Sequence, residues 1–504
     1  MKVVTRTQMN TMDAKASQIY KIDSLLLMEH AALGTIQKML SHIDKEDTFV
    51  FVCGSGNNGG DGFAMARLLT AMGFSCAIDF LGNKEHLTKD AKSNFESCIA
   101  MEIPFVESME GYSVIVDGLF GTGLKRKVEG RYAEAIEQIN RQKGHATIIS
   151  IDIPSGIDAD TGQKLSVAVE ADYTYTMECI KKGMLVYPGR MHSGKIEVVD
   201  LLVPATLKEQ CESRVFLIQD DEMSAFLPTR LSHSNKGSYG KLLAIGGNQQ
   251  MSGAISMASS SALSAGVGLL TCAVPVSIQP VVMKNVWEAM SIGLCEKQGY
   301  ISEECIPQIE TALSKATCIL FGCGIGRNEA IQAVLKVVLD SQRPLVIDAD
   351  GLVALKPFLP ALKDRGNLIL TPHLKEFADL LDIEVKDVME DVYCYAEAFM
   401  REYPKITLVL KSDTTLIGQG ETMYVNTYGN DGLATGGSGD VLAGLIAGFY
   451  AQNQDALKAA VLGVYVHAKS ADRLLAKEST YSILPTKIIQ EAQSLLCELQ
   501  KERL

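Results

Sequence analysis

TFVFVC (48–53), GSGNNGGDG (54–62) and FAMARLLTAM (63–72) follow one another as a short apolar strand, a glycine-rich loop and an amphipathic helix. Strand, glycine loop and helix in that order are the βα unit of a doubly wound α/β fold, in which a ligand sits at the carboxyl end of the strand. The loop contains G-x-G-x-x-G at Gly54, Gly56 and Gly59, a pattern that carries little weight alone. Its departure from a dinucleotide fingerprint is the crowding of Asn57, Asn58 and Asp61. Amide and carboxylate oxygens that close together suit a polar ligand or a hard cation. Asn-Gly is also an ordinary turn pair, and that reading stays open.

Two further strands end in acids. SVIVDGLFGTGLKRK (113–127) places Asp117 after a buried strand, then a glycine loop with Lys125, Arg126 and Lys127. TIISIDIPSGID (147–158) places Asp152 near its strand end, where Pro154, Ser155 and Gly156 turn the chain. In a parallel sheet such ends converge on one rim, so Asp117, Asp152 and the Asn57–Asp61 loop are expected to share one crevice. Acids beside cations and glycine amides suggest a phosphate-bearing substrate with a carboxylate near its reacting atom. The competing reading is that each Asp caps a helix or turn. Upstream, residues 8–40 read as helices, and Glu29 and His30 within LLLMEHAAL (25–33) read as a helix face.

At 504 residues the chain exceeds one typical core, and two domains are expected. Lys+Arg 47 against Asp+Glu 60 leaves a net charge of −13, which argues against nucleic acid or an anionic membrane as partner. No apolar run approaches the ~18 residues of a membrane helix, and MKVVTRTQMN lacks the apolar segment of a secretory signal. The 12 cysteines form no C-x-x-C pair and the 8 histidines show no metal-ligand spacing. A cytoplasmic protein with buried thiols and no zinc is expected. From about Leu201 to Gly237 the strand–helix rhythm lapses, so the domains are set at 1–215 and 220–504.

The second half repeats the pattern of strands delivering polar groups. KLLAIGGN (241–248) is a strand into glycines, and SGAISMASSSALSAGVGLLTCAV (252–274) is a small-residue helix before a strand. Those small side chains fit close approach to a ligand or plain helix packing. CILFGCGIGR (318–327), PLVIDADG (344–351, ending in Asp348 and Asp350), LILTPHLKE (368–376) and TLVLKSDTT (407–415) follow. Lys411 to Thr415 can offer a cation, N–H groups and hydroxyls to a phosphate. NDGLATGGSGDVLAGLIAGF (430–449) then sets six glycines around Asp440 before a helix. Glycine amides at a helix start gather an anion, which makes Asp440 a general base in a phosphate cradle. Turn punctuation is the bland alternative.

GNNGGDG, VDGLFGTGLKR and IDIPSGID resemble the NAD(P)H-hydrate epimerase domain. The resemblance implies a Rossmann-like domain that interconverts the R and S forms of hydrated NAD(P)H and binds potassium. Asn57, Asn58, Gly59, Gly60, Asp61, Gly121, Thr122, Gly123, Leu124, Lys125, Arg126, Lys127 and Asp152 would then contact the hydrate. Asn58, Asp117 and Ser155 would hold the potassium ion, and Asp152 would be the acid–base group. NKGSYG, TPH-x-x-E, K-x-x-x-T and GGSGDVLAG resemble the ribokinase-like, ADP-dependent NAD(P)H-hydrate dehydratase. Fused, the two halves resemble the bifunctional NAD(P)H-hydrate repair family, which dehydrates the S form at the expense of ADP. That likeness puts Ala254, Gly324, His373 and Asp440 on the hydrate. It puts Lys411, Ser412, Asp413, Thr414, Thr415 and Gly439 on the adenine nucleotide, with ADP as co-substrate and magnesium beside its phosphates. The chain departs from the family pattern at Asn235, Cys323, Lys375 and Ser412. Small-molecule substrates and a homo-oligomer are expected. The rivals are a ribokinase-type vitamin kinase in the second half and a non-catalytic binding module in the first.

Overall fold

The computed structural model describes residues 1–503 and contains two compact units, Met1–Val215 and Phe216 onward. The first holds a six-stranded, all-parallel sheet. Its spatial order is Ser75–Phe80, Thr48–Cys53, Val114–Gly118, Thr147–Ile151, Tyr173–Met177, Lys195–Val199. The order reverses between Thr48–Cys53 and Val114–Gly118, and a doubly wound sheet opens its ligand crevice at the carboxyl end of such a reversal. Phe49 to Cys53 and Val114 to Gly118 are buried throughout, as strands covered on both faces must be.

The helix after the first strand corrects the sequence reading. It spans Asn57–Ala71, so NNGGDG forms its opening turns and the loop is only Gly54–Gly56. The glycines allow this. A Cβ on Gly59 would lie 2.0 Å from the Gly54 carbonyl oxygen, and one on Gly60 would lie 2.7 Å from Met28 Cε. Nor is the helix amphipathic, because Phe63 to Ala66 are all buried. Glu29 pairs with Arg67 and His30 bonds the Leu201 carbonyl at 3.2 Å, both structural roles.

In the second unit seven parallel strands run in the order Met290–Leu294, Leu269–Pro275, Lys241–Ile245, Cys318–Phe321, Leu345–Ile347, Leu368–Leu370, Thr407–Leu410. Thr415–Gln419 and Thr422–Asn426 continue it antiparallel. The reversal here lies between Lys241–Ile245 and Cys318–Phe321. Among the described residues no helix is long and apolar enough to cross a membrane.

The small-residue helix Ser252–Ser264 packs on Ser438–Asn453, so small side chains along it serve helix packing. A Cβ on Gly444 would lie 2.0 Å from the Ala258 carbonyl oxygen, and one on Gly448 would lie 2.6 Å from that of Ala262. Two of the six glycines near Asp440 therefore serve packing. Gly444→Val should destabilise the second unit by at least ~1–3 kcal/mol, since backbone cannot yield as a side chain does. Urea unfolding checks this; an unchanged midpoint would contradict the packing.

Candidate active sites

The first unit encloses a cavity of about 930 Å³ at its sheet reversal, within the ~300–1,000 Å³ typical of small-molecule sites. Asn57, Asn58, Asp61, the loop from Gly121 to Arg126, and Asp152 line it. The helix Asn57–Ala71 begins in this cavity wall, and a helix start carries the partial positive charge that favours anions. Gly59 and Gly60 serve packing instead, and Lys127 is exposed outside the lining.

Asp117 is not in the crevice, contrary to expectation. Its strand is buried on both faces, and its carboxylate lies fully buried, outside the cavity lining. It accepts from Ser155 Oγ at 2.6 Å, Ser150 Oγ at 2.8 Å, Ser155 N at 2.9 Å and Leu119 N at 3.2 Å. Every one of these partners is neutral, and burial raises the carboxyl above its usual range. Phe120 lies beside it, its carbonyl accepting from Asn58 Nδ2 at 3.1 Å and Ser155 Oγ at 3.2 Å. A buried carboxylate whose partners are all neutral, beside a backbone carbonyl, is an oxygen set that a hard cation could complete.

Asp152 has φ +66, a left-handed conformation costly for a non-glycine residue and found where function demands it. Its carboxylate accepts from Met177 N at 3.0 Å, from Thr176 Oγ1 at 3.3 Å and from the Lys181 ammonium. Lys181 is fully buried and also donates to Thr176 Oγ1 at 2.8 Å. Sequence reasoning missed Lys181, which lies within ECIKKG, where nothing local marks it. It missed Asp13 as well, a further cavity-lining carboxyl.

In the second unit Asp440 sits in the first turn of Ser438–Asn453, which opens on Gly437 at φ +97. Gly436 has open space around its Cα, and Gly439 meets only Lys411 Nζ, 3.6 Å from where its Cβ would be. Lys411 Nζ donates to Asp348 Oδ1 at 2.8 Å, and Thr371 Oγ1 donates to the same oxygen at 2.7 Å. Donor atoms of Cys323, Asp348 and Asp440 lie within 4.8 Å of one another. Burial, then the charge of Asp348, pushes the Asp440 carboxyl up to about 6, against the Cys323 thiol and Lys411. Ser438 Oγ is 3.2 Å from His467 Nε2, and burial pulls that imidazole down to about 4, so it braces the helix start uncharged.

The other expected residues are placed unevenly. His373 sits beside Lys411 in a parallel bridge and caps Leu374–Leu381 through Glu376. Gly324 abuts Ala254, whose Cβ would stand 2.8 Å from a Cβ at 324. Ser412 and Asp413 are exposed, Thr414 is buried, and Thr415 opens an antiparallel strand, so Lys411 to Thr415 is not one continuous face. Asp348 is the residue the strand-end reading noted without assigning to the site.

A family model described as NAD(P)H-hydrate dehydratase matches residues 242–494, and one described as YjeF-related protein N-terminus matches residues 24–183. The bifunctional NAD(P)H-hydrate repair enzyme Nnr of Moorella thermoacetica is 32% identical over 520 residues, covering 100% of this chain and 98% of its own. Its namesake from Thermofilum pendens is 34% identical over 487 residues, covering 94% and 92%. A ribokinase-like superfamily protein of Enterococcus faecalis, a solved structure, aligns with TM-score 0.50 and 29% identity over 57% of this chain and 97% of its own. These matches do not favour a vitamin kinase fused to a binding module. The chain belongs to the family of bifunctional NAD(P)H-hydrate repair enzymes.

Proposed function

We propose that the unit comprising residues 1–215 interconverts the R and S forms of hydrated NAD(P)H. The unit from about 220 to 504 dehydrates the S form with ADP, giving NAD(P)H, AMP and phosphate. The observation that carries this reading is Asp440, placed on a glycine-opened helix start beside the Lys411–Asp348 pair. Asp440 takes the proton of the substrate hydroxyl as that oxygen attacks the terminal phosphoryl group of ADP. The Gly436–Gly439 amides, Lys411 and the residues to Thr415 hold the polyphosphate, while Ala254, Gly324 and His373 hold the hydrate. The phosphorylated oxygen then leaves, the ring loses a proton, and the dihydropyridine is restored.

Magnesium, which would neutralise charge on the phosphates, fits Asp348 and the nucleotide's own oxygens. Potassium would take Asn58, Asp117 and Ser155 and supply the missing counter-charge under the first cavity. There Asp152 serves as acid–base group, with Asn57, Asn58, Asp61 and the Gly121–Arg126 loop around the substrate. Exposed Leu25, Leu26 and Leu33 on one helix support a homo-oligomer, and 12 unpaired cysteines support a cytoplasmic setting.

Phosphorus NMR of a reaction with ADP tests the chemistry. AMP and inorganic phosphate are expected; a stable phosphorylated product would make the second unit a kinase. The raised Asp440 carboxyl sets a pH dependence, because a general base works only when ionised. Dehydration kcat should rise with pH through about 6 and then level. A profile flat from pH 5 to 8 would contradict it.

A further inference from the structure

The helix Arg6–Gln18 lends the first cavity Met9, Asn10, Asp13 and Ser17, residues spaced to share one face. Its start is fixed by a Thr5–Gln8 capping box and by Arg6, whose backbone N–H bonds Asp160 Oδ1 at 2.7 Å. The Arg6 guanidinium also donates to the carbonyls of Thr122 and Leu124, at 3.3 and 3.2 Å, in the loop that forms another cavity wall. The position of Asp13 relative to that loop is therefore set by bonded contacts.

Four carboxyls gather at this end of the sheet, and they divide by their partners. Asp117 is held by four neutral donors through both oxygens, and Asp152 by three donors through Oδ1. Asp13 and Asp61 both face the cavity, and neither makes a hydrogen bond or ion pair with a described residue. Around Asp13 stand Asp152, Lys181 and Glu178, and around Asp61 stand Asp152 and Asp13. Desolvation at the cavity wall, followed by the neighbouring acids, pushes Asp13 up to about 6 although its side chain keeps solvent contact, and Asp61 well above the usual range. Neighbouring negative charges disfavour ionising all of these carboxyls together, so a share of Asp13 keeps its proton up to near neutral pH.

We propose that Asp13 is the second acid–base group of epimerisation, acting from a different wall than Asp152. The inference rests on the epimerase reading of this cavity. In the hydrate, the hydroxyl stands on the carbon next to the ring nitrogen. Asp13 gives its proton to that hydroxyl as the carbon–oxygen bond breaks and water leaves. The nitrogen lone pair forms the carbon–nitrogen double bond that replaces it. Water then adds to the opposite face, returning the pair to nitrogen, and Asp152 takes the proton it sheds. Proton exchange through cavity water resets both carboxyls, and nothing is oxidised or reduced. One carboxylate alone cannot hold a proton for departure and be free to accept one on return.

The test uses full-length protein and hydrated NADH enriched in the R form, with R-to-S conversion followed by chromatography. Asp13→Asn should lower epimerisation kcat by ~10²-fold with KM little changed. The wild-type profile should fall as pH rises through the ionisation of Asp13, and Asp13→Asn should lack that limb. Asp13→Glu should recover part of the rate, and thermal melting of each variant reports folding. An Asp13→Asn enzyme with the wild-type rate, or a wild-type profile without an alkaline limb, overturns the proposal. The double variant Asp152→Asn/Lys181→Met separates the two layers: if only Asp13→Asn epimerises normally the proposal alone fails, and if both variants do, neither carboxyl does the chemistry and the epimerase reading of this cavity fails with it.

Discussion

Asp440→Asn should reduce dehydration kcat by ~10²–10⁴-fold, the span that a positioned general base contributes, while epimerisation in the same molecule continues. The substitution is nearly isosteric and leaves the amides of Gly436 to Gly439 in place, so nucleotide affinity should change little. Stability should shift by only ~0.3–1 kcal/mol, the value of one charge at a helix N-terminus. Asp440 is already disfavoured as an ion by burial and by Asp348. Steady-state kinetics with the S hydrate and saturating ADP provide the measurement. A variant with unchanged kcat would remove Asp440 from the chemistry.

Asp152→Ala should abolish most R-to-S conversion, by at least ~10²-fold, and should also weaken the fold of the first unit. Lys181 is fully buried against this carboxylate, and a buried ion pair that loses one partner costs ~3–5 kcal/mol. The two effects separate in Asp152→Asn/Lys181→Met, which removes both charges. Melting temperature should recover in the double variant, whereas epimerisation should not. Recovery of both would show that Asp152 only holds the fold; recovery of neither would mean that Lys181 has a further structural role.

What the sequence disclosed was local in its physics. A short apolar strand running into glycines fixes a βα unit, so the rims carrying Asp152 and Asp440 could be located from spacing alone. The misreadings have equally local causes. Val114–Gly118 is buried on both faces, so no alternation signalled that Asp117 lies clear of the crevice. The six glycines around Asp440 look alike in sequence, yet Gly444 and Gly448 face Ala258 and Ala262 across a helix interface. Only the three-dimensional neighbours distinguish an open Gly436 from a packed Gly444.

Other partners were invisible because the fold brings them from afar. Lys181 reaches Asp152 across 29 positions, and Lys411 reaches Asp348 across 63. No periodicity encodes such pairs. Asp13 sits on a helix whose composition reads as ordinary surface. It becomes notable only because that helix faces the same cavity as Asp61 and Asp152.

The central claim is that one chain carries both chemistries, each on its own sheet rim. It is tested most directly by giving the full-length protein an equilibrated mixture of R and S hydrated NADH with ADP and magnesium. Absorbance of the reduced nicotinamide is then followed to completion. Recovery of the whole mixture as NADH is expected, the R form draining through the first site into the second. A trace that stops at the S fraction, or shows no ADP-dependent rise, would contradict it.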